Sequence, residues 1–156
     1  MTRWWMLACW LPGLAAALAG CGSPPPPPAV LTLQVETGRD QNPNAAGQPA
    51  PVAVRVLQLS SSAKFDRADV FALLEREAAT LGDELAAGET VLAAPGEVQT
   101  LTRTLKPGVQ AVGVVAAFRD IDQALWRASA PVASSGPTAL VLRTAGTTAT
   151  LTSAKP

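Results

Sequence analysis

Hydrophobic and polar residues alternate along most of this chain, and in one stretch the period lengthens. Residues 30–36 set Leu31, Leu33 and Val35 against Thr32, Gln34 and Glu36, the two-residue period of a strand buried on one face. Val52, Val54 and Val56 make a second such face, with Ala53, Arg55 and Leu57 opposite. Thr90 to Ala93 reads as a short strand closed by Pro95-Gly96, and 98–105 as one closed by Pro107-Gly108. Residues 109–118 are almost continuously apolar, as in a central strand covered on both sides. Arg119 to Gln123 turns the chain, and 125–132 returns with Trp126, whose ring is expected in the core. Residues 139–144 and 147–152 pair around Ala145-Gly146.

Between 67 and 81 the apolar residues Val70, Phe71, Leu73, Leu74, Ala78 and Leu81 fall along one side of a helix. Asp66 or Asp69 is placed to cap its start and Gly82 to end it, with Glu75, Arg76 and Glu77 facing solvent. The pattern predicts a mainly β chain: an all-β antiparallel sandwich of about eight strands with one added α-helix over an edge or an end.

The first two strands are joined by Gly38-Arg39-Asp40-Gln41-Asn42-Pro43-Asn44-Ala45-Ala46-Gly47-Gln48-Pro49. This loop is polar, rich in turn formers and longer than a hairpin needs, which suggests use in binding.

Upstream of the strands the chain is organised by Leu18-Ala19-Gly20-Cys21. An aliphatic residue, two small residues and a cysteine follow an apolar run from Met6 to Leu18, which follows the charge of Arg3. That order is a lipoprotein signal and not a membrane span. It predicts a signal peptide over 1–20, cleavage between Gly20 and Cys21, and a diacylglyceryl group on the Cys21 thiol. One acyl chain holds only marginally, at about 0.8 kcal/mol per buried methylene, so two or three on one residue anchor stably. Gly22 stands where lipoproteins of this type retained in the inner membrane commonly carry Asp, which by resemblance points to the outer membrane. Pro24 to Pro28 predict a stiff polyproline arm of ~15 Å between anchor and domain. The domain itself is expected over 30–156, with 21–29 as lipidated spacer.

Composition narrows the chemistry. The mature chain has one more acid than base, no basic footprint for nucleic acid. Cys9 leaves with the signal and Cys21 takes the lipid, so the domain has no disulfide and stands on packing. The absence of histidine excludes Ser-His-Asp and Cys-His catalysis and histidine-ligated metal sites. Asp120 and Asp122 could pair as acid and base, but beside Arg119 and Arg127 they read as a polar turn. Ser60-Ser61-Ser62 has only Lys64 as a base and reads as a connection. No catalytic residue, no metal site, no cofactor beyond the covalent lipid and no small-molecule substrate are expected. Arg55 and Arg119 are possible contacts for partner carboxylates.

Several stretches resemble one family. They are Asn42-Pro43, then Gly47-Gln48-Pro49-Ala50-Pro51-Val52-Ala53-Val54-Arg55-Val56-Leu57-Gln58-Leu59, then Phe65-Asp66-Arg67-Ala68-Asp69-Val70-Phe71-Ala72-Leu73 and Pro95-Gly96-Glu97. The densest is Gly113-Val114-Val115-Ala116-Ala117-Phe118-Arg119-Asp120-Ile121-Asp122-Gln123-Ala124-Leu125-Trp126-Arg127. In this order, behind a lipobox, they resemble the TssJ (SciN/VasD) family of type VI secretion lipoproteins over nearly all of the mature chain. Leu57, where many relatives have an aromatic, and the long proline arm are departures. The resemblance implies a transthyretin-like sandwich with an added helix. It also implies a role as outer-membrane anchor for the periplasmic domain of TssM, in a complex with TssL. The family's binding surface includes the loop between the first two strands, here residues 39–48. The competing reading is a lipid-anchored module for a small ligand or cell-wall fragment, which would need a concave site of about 300 Å³ or more with converging polar groups.

Overall fold

The computed structural model describes residues 24–154, so the signal segment and Cys21 lie outside the described residues. Among them, eight strands form two four-stranded sheets. In chain order they are β1 (Ala29–Thr37), β2 (Val52–Leu59), β3 (Leu85–Ala93), β4 (Val98–Thr104), β5 (Ala111–Ala117), β6 (Arg127–Pro131), β7 (Gly136–Ala145) and β8 (Thr148–Ser153). One sheet has the order β4-β1-β7-β8 and the other β3-β2-β5-β6.

The alternating faces read from the sequence meet between the sheets. Leu31, Leu33 and Val35 of β1 and Leu140 and Leu142 of β7 pack against Val52, Val54, Val56, Val112, Val114 and Ala116 from the other sheet. Each fully buried aliphatic contributes about 1.5–3 kcal/mol, which lets a domain without disulfides hold together. The mainly β sandwich is as expected. The ladders between its strands are antiparallel with one exception: β1 and β7 run parallel, from Ala29↔Gly136 to Thr37↔Thr144. No tight turn links these two strands, and the long intervening chain supplies the crossover that a parallel pair needs.

β3 is longer than the sequence suggests, because Ala86-Ala87-Gly88 carries little strand signal. Gly88 has a steric reason to be small: a Cβ there would come within 2.6 Å of Arg55 Nη2 and 3.0 Å of Glu77 Oε1.

The single helix expected over 67–81 is instead a chain of short turns. A 3₁₀ turn at Phe65–Arg67 is followed by α1 (Val70–Glu75), α2 (Glu77–Leu81) and a second 3₁₀ turn at Gly82–Glu84. Asp69 caps α1, accepting from the Ala72 amide at 2.9 Å. Gly82, with φ of 55°, ends α2. The helix breaks at Arg76, whose backbone leaves the helical region. The break is stabilised on both sides. Thr80 Oγ1 donates to the Ala72 carbonyl, and Glu77 turns inward to Arg55 instead of facing solvent. As a result Phe71 and Leu74, counted on the apolar side, are exposed.

These turns lie across the outer face of the β3-β2-β5-β6 sheet, not over an edge or an end. Phe65, Val70, Leu73 and Leu81 cover Leu57, Leu59 and Val115 there. That second core explains why β5 is buried on both sides. Trp126 is half-buried and touches both cores.

The strands give the sandwich two distinct ends. Pro24 to Pro28 are exposed and run into the start of β1, where the Gly136 amide donates to the carbonyls of Pro27 and Pro28. At the opposite end lie the β1–β2 loop, the β3–β4 turn, the β5–β6 loop and the β7–β8 turn. No helix among the described residues is long and apolar enough to cross a membrane.

The outer core gives a sharp steric prediction. The Phe65 ring rests on Gly113, where a Cβ would come within 2.9 Å of two ring carbons and 3.0 Å of Leu59. Gly113→Ala is expected to lower unfolding free energy by about 1–3 kcal/mol, the range for overpacking. Thermal or urea unfolding measures it; an unchanged midpoint would mean that the helical layer yields freely.

Candidate functional site

The β1–β2 loop divides into a buried base and an exposed tip. Gln41 and Asn42, inside the run expected to bind a partner, are 0% and 3% exposed. Buried amides need partners, and every polar atom of both side chains has one. Gln41 Nε2 donates to the Ala93 carbonyl at 2.8 Å, and its Oε1 accepts from Thr144 Oγ1 at 2.5 Å. Asn42 Nδ2 donates to the Pro51 carbonyl at 2.7 Å, and its Oδ1 accepts from the Arg119 amide at 2.8 Å. The Asn42 amide donates to the Gly146 carbonyl. Asn42 also has a φ of 49°, and is the one described non-glycine residue with positive φ; asparagine tolerates this conformation better than most residues.

These contacts tie the loop to the ends of β3 and β7, to the β5–β6 loop and to the β7–β8 turn. The tip is built on its own side chains. Asn44 Oδ1 accepts from the amides of Ala46 and Gln48, and its Nδ2 donates to Gln48 Oε1. Ala45 through Pro49 are exposed, as are Arg39 and Asp40 at the other side of the base. Of residues 39–48, therefore, Gln41 and Asn42 serve the frame, while the others lie at or near the surface.

An open groove of about 500 Å³ separates Pro43, Asn44 and Ala45 from Arg119 and Asp120, with Thr147 beside them. Sequence reasoning had not joined the second loop to the first. Asn42 makes that junction, and nothing in a polar, turn-rich run distinguishes a buried asparagine from an exposed one.

The larger depression lies on the outer sheet face beside the helical layer, at about 690 Å³. Ala53, Thr90, Ala117, Leu74, Ala78 and Ala79 line it, with the exposed Glu75 and Arg76. It exceeds the volume set for a ligand site, but it is wide open. Its central polar groups, Arg55 and Glu77, satisfy each other through two bonds of 2.6 and 2.7 Å. The bond to Glu77 raises the Arg55 pKa above its ordinary value, against the lowering effect of burial. Arg55, a possible partner contact in the sequence, is thus engaged within the domain.

The other candidates also resolve into structure. Ser60 and Ser62 donate to the Asp83 carbonyl and to Asp66, and Ser61 accepts from the Ala63 amide. Lys64 is bound to Asp83 and the Leu81 carbonyl. Asp120 and Asp122 are exposed on the β5–β6 loop. Arg127 lies 4.8 Å from the centre of the Trp126 ring and donates to the carbonyls of Phe65 and Ala68, fixing the helical layer.

A two-sheet sandwich with a proline arm at one end and cross-braced loops at the other defines a module that presents its loops away from its arm. The chain belongs to the type VI secretion lipoprotein family that includes VasD, EvfM and TssJ, whose model matches residues 29–149. Membership gives it a membrane-anchored location in the cell envelope. The crystal structure of the lipoprotein TssJ1 from Pseudomonas aeruginosa is 32% identical with a TM-score of 0.79, covering 83% of this chain and 99% of that one. Serratia marcescens Lip, described as a membrane-bound component of the type VI secretion system, is 27% identical with a TM-score of 0.70, covering 83% and 98%. A chain in a structure described as the TssM C-terminal domain (869–1107) from EAEC is 28% identical with a TM-score of 0.68, covering 80% and 98%. No curated protein sequence matches the chain.

The frame predicts where mutation is costly. Asn42→Ala strands the Arg119 amide and the Pro51 carbonyl and leaves alanine at positive φ, so a loss of about 2–4 kcal/mol is expected. Ala45→Ser, at the exposed tip, is expected to stay within about 0.5 kcal/mol of wild type. Chemical denaturation of both variants checks the contrast; equal stabilities would mean that the base is not braced as described.

Proposed function

We propose that this protein is the outer-membrane anchor of a type VI trans-envelope complex. A lipid on Cys21 holds it to the membrane, and its loop end holds the periplasmic domain of a TssM-like inner-membrane protein, itself complexed with TssL. The role is structural and not enzymatic.

The observation that carries this reading is the opposition of the two ends. The proline arm leaves at the start of β1, and the β1–β2 loop projects at the end of the same strand. A domain tethered by the arm directs its loops away from the bilayer, where a protein reaching across the periplasm would meet them. The match to a chain in the structure described as the TssM C-terminal domain adds support. That chain is 98% covered by only part of this one, so it is much shorter than the segment 869–1107. The ligand-binding alternative has the outer cleft in its favour, but the cleft is wide open, Arg55 and Glu77 within it are bonded to each other, and its remaining charged residues, Glu75 and Arg76, are exposed to solvent.

Anchoring and binding are separable. Cys21→Ser is expected to leave the domain folded and able to bind the partner, yet to remove it from the membrane fraction and abolish secretion. Secretion at wild-type level by that variant, at matched expression, would refute anchoring. Replacing residues 44–48 with a short glycine-serine turn is expected to weaken partner binding at least tenfold in calorimetry, with thermal stability little changed. Undiminished binding would remove the tip from the interface.

A further inference from the structure

We propose that the docking site is a groove built by two loops, in which Arg119 of the β5–β6 loop receives a carboxylate from the periplasmic partner. The inference rests on the partner-binding reading and names a second element and a specific contact within it.

The first observation is where charge is left uncommitted. Four ion pairs occur among the described residues: Arg55–Glu77, Lys64–Asp83, Arg103–Glu89 and Arg143–Glu36. Only Arg143–Glu36 lies near the loop end, between the last residues of β1 and β7. There, Arg39, Asp40, Arg119, Asp120 and Asp122 are all exposed, and none belongs to those pairs.

The second observation separates Arg119 from the rest. It lines the groove opposite Pro43, Asn44 and Ala45. Its amide is held by the buried Asn42 side chain at 2.8 Å. The backbone that carries the guanidinium is therefore fixed before any partner arrives, which lowers the ordering cost of binding. Arg39 is placed differently: its side chain packs over Gly96 in the β3–β4 turn, where a Cβ would come within 3.1 Å of Arg39 Cγ.

The third is chemical. A guanidinium offers a planar fork of donors that matches a carboxylate in two parallel bonds, which lysine cannot reproduce. Asp120 shares the groove but is not within ion-pair distance of Arg119. The adjacent negative charge disfavours a dense anionic ligand and suits a single carboxylate on a mixed-charge protein surface. Because Asn42 bonds to the backbone of residue 119, replacing its side chain leaves the brace intact.

The test is calorimetric binding of the TssM-like periplasmic domain to the mature chain carrying Cys21→Ser, at low and at physiological salt. Arg119→Glu is expected to weaken binding at least tenfold and to flatten the salt dependence. Arg119→Lys is expected to lose a few-fold. Lys106→Glu makes the same charge change at an exposed site near the arm end and is expected to bind like wild type. Thermal midpoints of the three variants should match the parent. Wild-type binding with undiminished affinity of Arg119→Glu would overturn the two-loop groove while leaving the anchor reading in place. An equal loss from Lys106→Glu would overturn it too, reducing the effect to net charge. No binding by the parent chain would overturn both readings together.

Discussion

Two buried amides, Gln41 and Asn42, hold the loop end of this protein in one arrangement. Their side chains and backbone reach Ala93, Thr144, Pro51, Arg119 and Gly146, tying the β1–β2 loop to the ends of β3 and β7, to the β5–β6 loop and to the β7–β8 turn. A long loop without such a brace would sample many conformations and lose them on binding. Here much of that ordering is complete in the free domain, and a small sandwich without disulfides can present a defined surface.

The rest of the architecture places that end. The inter-sheet core of leucine and valine fixes the two sheets, and the parallel β1–β7 pair puts the proline arm and the β1–β2 loop at opposite ends of one strand. The helical layer covers only part of the outer face. Phe65, Val70, Leu73 and Leu81 protect Leu57, Leu59 and Val115, while the sheet around Ala53 and Ala117 stays open. The half-buried Arg55–Glu77 pair marks the boundary between the covered and open regions, with side-chain exposures of 29% and 15%.

Strict alternation made β1, β2, β4 and the β7–β8 hairpin readable from sequence, and the unbroken apolar run made β5 readable as a central strand. The order of motifs, with the lipobox, carried the family. What escaped depended on contacts between distant residues. The first half of β3 was hidden by Gly88, which is small because two charged side chains meet against it. The helix broke because Thr80 and Glu77 found partners that a helical wheel does not show. Within the expected binding loop, burial of Gln41 and Asn42 depended on two carbonyls, an amide and a hydroxyl supplied by four other segments. Arg119 stood out in the sequence as a possible contact by its charge alone; that Asn42 fixes its backbone beside the first loop was invisible there.

Hydrogen–deuterium exchange of the domain, free and saturated with the TssM-like periplasmic domain, tests the central claim most directly. It reads the interface without mutation. If the braced loop end is the docking surface, new protection appears at residues 43–49, 118–122 and 145–147 and leaves the outer cleft unchanged. Protection confined to 74–79 and β3, with the loop end exchanging as in the free protein, would place the partner on the outer sheet face and contradict the account.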